Sequence, residues 1–289
     1  MKPFIEDDVA QHAVPPAEAH APGPPAYAGI GRHLDSVSQP VQTDCTPAEL
    51  RTMFDRIAAN WRSLGVSEPY WSVLTNPIYL NDSFEAHAEE FFAHGRHDVL
   101  RFLAALRRSG FTDTAFDRAL DFGCGVGRLS IALAPLAQSV IGVDVSAPHL
   151  AEATKTMAMH GIDNVELVRI DTPDQIDALG DFDLIVSRLV LQHNPPPVMA
   201  ALYGKLLARL RPGGFAVVQM PTFIADYRFD VAEYLESENS VMEMNALPQH
   251  EVFRIIAAQG CRTLEVREDD HLGELDGLSH LFTVFRPSA

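Results

Sequence analysis

The sequence predicts an α/β fold, a mostly parallel sheet with helices on both faces, preceded by an α-helical cap. Three observations carry this. Beyond Phe116, short apolar runs alternate with stretches of helical periodicity. The runs are apolar almost throughout, as strands covered on both faces are. A turn with glycine at every second position, Gly123, Gly125 and Gly127, joins the first run to the first helical stretch.

The elements follow in order. Residues 1–45 are rich in Pro and Ala without lasting periodicity, and read as a mobile tail. "TPAE" at Thr46 is a capping box with proline at the first helical position. Leu50, Met53, Phe54, Ile57, Trp61 and Leu64 then recur at three- and four-residue steps until Gly65, an amphipathic helix. A second helix is expected from near Asp82, with Glu85 three residues on, to Gly110; together these form the cap, 46–112. The core, 113–289, then reads strand "RALDF", helix "GRLSIALAPLA", strand "SVIGVDV", helix "APHLAEATKTMAMHG", strands "VELVRID" and "FDLIVSR", helix "PPPVMAALYGKLLARL" and strand "GGFAVVQM". Helix "PQHEVFRIIAAQG" precedes "RTLEVRE" and "HLFTVFRP", two strands with no helix between them, and so candidates for antiparallel pairing. About 221–247 is too long for an ordinary connection and reads as a substrate lid.

Composition narrows the partners. Lys plus Arg number 22 against 39 Asp plus Glu, a net charge of −17, with no basic cluster. A long nucleic-acid surface needs a basic face, so a small-molecule acceptor is favoured over nucleic acid. No run approaches the about 18 apolar residues of a membrane span, and the start has no signal-peptide core. Three scattered cysteines without CxxC spacing fit a reducing cytoplasm and give no zinc or disulfide framework. Oligomeric state is open.

In an open parallel sheet the ligand crevice lies at the carboxyl ends of the central strands. Asp121 ends the first strand beside the glycine turn, Asp144 ends the second and Asp171 the third. A carboxylate at Asp144 can accept from both hydroxyls of a ribose; one at Asp171 can accept from an adenine amino group. The plainer reading of each acid is loop solvation or helix capping. A nicotinamide dinucleotide is the competing ligand, since Asp144 follows Gly123 by 21 residues. Yet the turn reads Gly-Cys-Gly-Val-Gly rather than GxGxxG, and an acid just before it repels a pyrophosphate. No Gly-Lys-Ser/Thr phosphate loop is present.

"ALDFGCGVGR", "VIGVDVS", "VELVRID", "FDLIVSRLVLQH" and "LRPGGFAVVQM" resemble the class I S-adenosylmethionine (SAM)-dependent methyltransferases, particularly the small-molecule group with an N-terminal helical cap. The resemblance implies a Rossmann-like seven-stranded sheet with the last strand antiparallel, and SAM as cofactor. It implies that Asp121, Gly123 and Gly125 surround the methionine part of SAM and that Asp144 holds the ribose. By the same resemblance Val145 packs on adenine, Asp171 takes its amino group, and Ser187 and Arg188 meet the cofactor.

Methyl transfer needs a nucleophile aligned on an activated carbon, and a base where that nucleophile is a hydroxyl. His193, just past the fourth strand, is the candidate base; orienting a ligand or holding its loop are the other readings. Tyr70 and Trp71, between the cap helices, are candidates to wall the pocket or to seal the cap. Tyr227, Arg228, Met242 and Met244 are candidate acceptor contacts from the lid. "NPPP" lacks the aromatic residue of the Asn-Pro-Pro-aromatic motif of nucleic-acid amino-methyltransferases, and its prolines read as a helix start. His87, Glu90, His94 and His97 share one helix face with Asp98 and Arg101; we read it as solvated and assign no metal. Arg96 and Arg128 are candidates to reach the SAM carboxylate. The reading is therefore a SAM-dependent enzyme methylating oxygen or nitrogen of a small molecule. A SAM-binding module without catalysis, an aminopropyl transferase and a NAD-dependent oxidoreductase are the alternatives.

Overall fold

The computed structural model describes residues 40–288 apart from 239 and 270. Most of the expected tail therefore lies outside the described residues. Its last six, 40–45, form no helix, and Val41 forms a parallel bridge with Phe229.

Helix α1, Pro47–Ser67, starts where the capping box requires. The Thr46 N–H donates to Glu49 Oε2 at 2.7 Å, and the Glu49 N–H donates back to Thr46 Oγ1 at 3.3 Å. Helix α2, Phe84–Arg108, starts two residues later than its expected start near Asp82, and no side chain caps it. A turn over 77–80 takes that role, because the Leu80 carbonyl accepts from the Phe84 N–H at 2.8 Å.

The remainder alternates as expected: β1 Phe116–Phe122, α3 Arg128–Leu133, β2 Ala137–Asp144, α4 Ala147–Met159, β3 Val165–Arg169, β4 Phe182–Ser187, α5 Pro196–Ala208 and β5 Leu210–Ile224. A short α6, Val231–Glu236, and α7, Gln249–Ala258, precede β6 Arg262–Asp269 and β7 Gly277–Phe285. One seven-stranded sheet has the order β3-β2-β1-β4-β5-β7-β6. Strands β1 to β5 are parallel, and β7 runs antiparallel between β5 and β6. The order reverses between β1 and β4, which places a crevice at their carboxyl ends. Strand β5 is longer than expected because β7 pairs along it as far as Ile224↔Gly277; a register irregularity between Pro221 and Phe223 accommodates the proline.

Alternate residues of the central strands face opposite layers. Leu120, Phe122, Ile185 and Val218 join the core under α1, α5 and α7, whereas Ala119, Val186 and Val217 join the core under α2 and α3. Asp121 therefore points to the α3 side and Ser187 to the other. Helix α2 lies so close to α3 that a Cβ on Gly95 would come within 2.3 Å of the Arg128 carbonyl oxygen. Among the described residues, no helix is long and apolar enough to cross a membrane.

Candidate active site

The glycine turn is built from left-handed backbone, with φ of 76° at Gly123, 52° at Gly125 and 85° at Gly127. Only glycine takes this conformation readily. Crowding adds a second reason at Gly123, where a Cβ would lie 2.3 Å from a methyl of Val190. Asp144 ties the turn to the start of α4. Its carboxylate accepts the Gly125 N–H at 2.9 Å and the Ser146 N–H at 2.8 Å. Two backbone bonds leave lone pairs of that carboxylate unused.

Gly123, Gly125, Asp144 and Val145 open onto one partly enclosed cavity. Helix α1 covers it with Phe54, Ile57 and Trp61, and Ile170 and Leu189 complete the apolar wall. Ser72 and His149 line it too, joined at 2.8 Å, and His149 Nδ1 lies 2.8 Å from Ser146 Oγ.

A second, wider chamber adjoins the first, since Ser72, Val73, Arg188 and Leu189 line both. His193, Gln192, Met242, Met244 and Leu272 face it. The segment after α6 roofs this chamber: the Asn245 N–H donates to Gln192 O at 2.8 Å, and His193 Nδ1 bonds Glu243 O at 2.8 Å. Burial pushes the His193 imidazole down to about 4, against the smaller opposing effect of that carbonyl. The ring is neutral near pH 7, with its Nδ1 proton on Glu243 O. Leu189 has a φ of 59°, a strained conformation for its side chain, and its N–H is held by Gln219 Oε1 at 2.9 Å.

A buried ion network floors the chamber. Asp98 Oδ2 accepts from Arg128 Nη1 at 2.8 Å, and Asp98 Oδ1 lies 3.1 Å from Arg188 Nε. Arg188 also pairs with Asp269 at 3.3 Å and touches His271. Burial lowers the Arg188 guanidinium, an effect that Asp98 and Asp269 oppose. Sequence reasoning put Asp98 on a solvated stripe; in fact it is 6% exposed. The neighbouring Gly95 was the available signal, because a glycine one turn away marks the helix face pressed against α3. His94 and His97 of that stripe are exposed, as is Arg96. Among the described residues no group of three or more His, Cys, Asp or Glu could hold a metal ion.

The structure thus brings Gly123, Gly125, Asp144, Val145 and Arg188 to one cavity, with His193, Met242 and Met244 in the next. Asp121 lies beneath the turn, accepting from Ser130 Oγ at 2.6 Å; burial pushes its carboxyl up to about 6, partly offset by Ser130 and by the charge of Arg128. Ser187 is buried and donates to the Phe122 carbonyl at 3.0 Å, locking the ends of β4 and β1 together. Like Asp121 and Ser187, the candidates Tyr70, Trp71, Tyr227, Arg228 and Asp171 line neither cavity. The Tyr70 ring stacks on Phe84, with centroids 3.5 Å apart, and its hydroxyl reaches Glu152 at 3.2 Å. Trp71, half-buried, leaves the wall to Trp61 and Val73. The Tyr227 hydroxyl is spent on Asn245 Oδ1 at 2.8 Å, and the exposed Arg228 pairs with Glu233 at 3.0 Å. Asp171 also turns outward, pairing with Arg169 at 2.9 Å, and its neighbour Ile170 faces the cavity instead.

Residues 119–214 match a family model described as a methyltransferase domain. The chain is 30% identical over 184 residues to a ubiquinone biosynthesis O-methyltransferase of Bradyrhizobium sp. (strain ORS 278), covering 64% of this chain and 65% of that protein. It is also 30% identical over 198 residues to a ribosomal protein L11 methyltransferase of Thiobacillus denitrificans, covering 67% and 60%. The chain thus spans less than two thirds of the length of the curated relatives it matches, 65% for the first and 36% for one from Paramagnetospirillum magneticum. An N-methyltransferase from Bradyrhizobium japonicum WM9, solved with S-adenosyl-L-homocysteine (SAH), superposes with a TM-score of 0.54 at 17% identity over 81% of this chain and all of that one. A magnesium protoporphyrin IX methyltransferase from Synechocystis PCC 6803 gives 0.55 at 18% identity, covering 80% and 98%. At these identities the structural likeness is one of fold.

Proposed function

Because this chain belongs to the class I SAM-dependent methyltransferases, we propose that it transfers a methyl group from SAM to oxygen or nitrogen of a small-molecule acceptor. The observation that carries the reading is a left-handed glycine turn clamped by Asp144, opening on an apolar cavity beside a chamber that holds a neutral histidine.

The residues present fit the cofactor. The lone pairs of Asp144 left over from its two backbone bonds suit ribose hydroxyls, and Val145 and Ile170 offer apolar walls to adenine. Gly123 and Gly125 leave bare backbone for the methionine part. Asp121, ionised in most molecules at pH 7, supplies a negative field beneath it that suits an ammonium. Arg128, buried at the start of α3, has an Nε without a hydrogen-bond partner among the described residues and is suited to a carboxylate. Asp171 and Ser187 then act at one remove, Asp171 through the position of Ile170 and Ser187 by holding β4 against β1.

When bound, SAM supplies a methyl carbon activated by sulfonium. The chain's own residues do the rest. Trp61, Phe54 and Ile57 exclude water from the cofactor side, and Met242 and Met244 provide an apolar surface for the acceptor body. His193 accepts the acceptor's proton at Nε2, since Nδ1 is committed to Glu243 O. A small-molecule acceptor accords with the chain's net charge of −17, which disfavours nucleic acid.

The test is calorimetric titration with SAH, with NADH as control, followed by an acceptor screen read by SAH release. Micromolar SAH binding and turnover with a phenol, alcohol or amine are expected. Folded, ligand-free protein that binds NADH and not SAH overturns the reading.

A further inference from the structure

His193 stands at the end of a chain of amide hydrogen bonds whose direction is fixed from both ends. A backbone N–H can only donate, so the Leu189 N–H at 2.9 Å identifies its partner on Gln219 as the oxygen. Gln219 Nε2 is then the donor, and it gives its two hydrogens to Gln192 Oε1 at 3.0 Å and Ser279 Oγ at 2.7 Å. That turns the Gln192 NH2 toward His193 Nε2, 3.3 Å away, so Nε2 is an acceptor. From the other end, a carbonyl can only accept, and Glu243 O at 2.8 Å demands a hydrogen on Nδ1. Both ends require the same tautomer. Gln219 and Ser279 are fully buried and Gln192 and His193 nearly so, hence water does not compete along the chain.

We propose that Gln192, oriented by Gln219, is a positioning residue that locks His193 with its Nε2 lone pair toward the chamber, so that the site selects acceptors presenting an O–H or N–H there. This rests on the methyltransferase reading. As the acceptor atom bonds the methyl carbon and the sulfonium sulfur departs with the electron pair as a thioether, the acceptor's hydrogen passes to Nε2 as a proton. The resulting imidazolium keeps its Nδ1–H on Glu243 O. The long 3.3 Å contact to Gln192 is the one that yields when the acceptor arrives. A tertiary amine or thioether brings no hydrogen and leaves Nε2 with nothing to accept.

The experiment is ¹⁵N NMR of histidine-labelled protein, with the His193 signals assigned by their loss in His193→Gln, combined with kinetics. Wild type should show unprotonated Nε2 and protonated Nδ1. Gln192→Glu places a carboxylate against Nε2, which should become protonated, with kcat falling about 100-fold and SAH affinity within a factor of about two, as for a group that leaves the cofactor alone. Gln192→Met removes the amide that holds the ring but leaves Glu243, and should keep the wild-type tautomer while kcat falls about 10-fold; a wild-type kcat in this variant overturns the positioning role. Protonated Nε2 in wild type overturns the proposal, whether or not the variants fold. So does an equal loss of kcat in Gln192→Glu and Gln192→Met, which marks a merely structural role. Failure of wild type to bind SAH defeats the methyltransferase reading instead, and leaves the tautomer spectrum readable.

Discussion

Replacing Asp98 with alanine removes one carboxylate that serves two buried guanidiniums. Arg188 keeps Asp269 at 3.3 Å, but Arg128, 3% exposed, has no second ion pair among the described residues. The loss therefore falls on Arg128, and breaking a buried pair in this way costs about 3–5 kcal/mol. Arg101 also approaches Asp98, at 3.4 Å, but it is largely exposed and adds little. For a unit of this size each kcal/mol is worth about 2–4 °C, so the midpoint should fall by about 6–20 °C. The assay is urea unfolding with the slope m checked for constancy, supported by calorimetry. Combining Asp98→Asn with Arg128→Met removes both charges and should recover most of the loss. A single variant within about 1 kcal/mol of wild type, the range of an exposed pair, would show that solvent reaches the network and that α2 is not held by it.

Asp144→Ala removes acceptors for two backbone N–H groups and for the proposed ribose; a loss of about 1.5–3 kcal/mol should weaken SAH by about 10- to 150-fold in calorimetry. Gly123→Ala must adopt φ near 76° and displace Val190, so it should destabilise by about 2–4 kcal/mol in denaturant titration. The His193 imidazole is depressed to about 4, so its contribution to stability is present above the unfolded value near 6.5 and lost as pH falls toward 4. Asp121, raised to about 6, acts with the opposite slope, so the comparison is wild type against His193→Gln: the difference in stability should rise with pH across 4–6.5 by up to about 1.4 kcal/mol per unit. A flat difference refutes the burial of that ring.

The fold was legible where periodicity and buried strands coincide. Strands β1 to β4 lie within a residue or two of their expected limits because each carries an apolar run, nearly continuous in the central β2 and β4 and alternating with the exposed Glu166 and Arg169 in the edge strand β3, and the capping box set the start of α1. The start of α2 was not, because a backbone carbonyl caps it and leaves no side-chain signature. In the site, glycines and strand-ending acids announce a turn, and Gly123, Gly125 and Asp144 meet at the cavity. Aromatic residues announce only burial, and Trp61 rather than Trp71 faces the cavity, a distinction set by how α1 docks. The Gln219–Gln192–His193 chain joins residues from β5 and the loop after β4, so no sequence spacing could reveal it.

The roof over the cavity has a consequence in time. Arg56 donates to the Tyr234 carbonyl at 2.8 Å, and Asn60 to the Ser240 carbonyl at 2.8 Å, across about 180 residues of chain. During synthesis, β1 to β4, the glycine turn and α4, on which α1 also packs, emerge long before the segment that supplies these two anchors. Contacts this distant in sequence close late, since the loop entropy must be met first. A growing chain can therefore carry the finished turn while its pocket stands open to chaperones and to water. Truncations ending before residue 230 lack both anchors, so α1 is left to its packing on α4 and α5 and the roof should loosen.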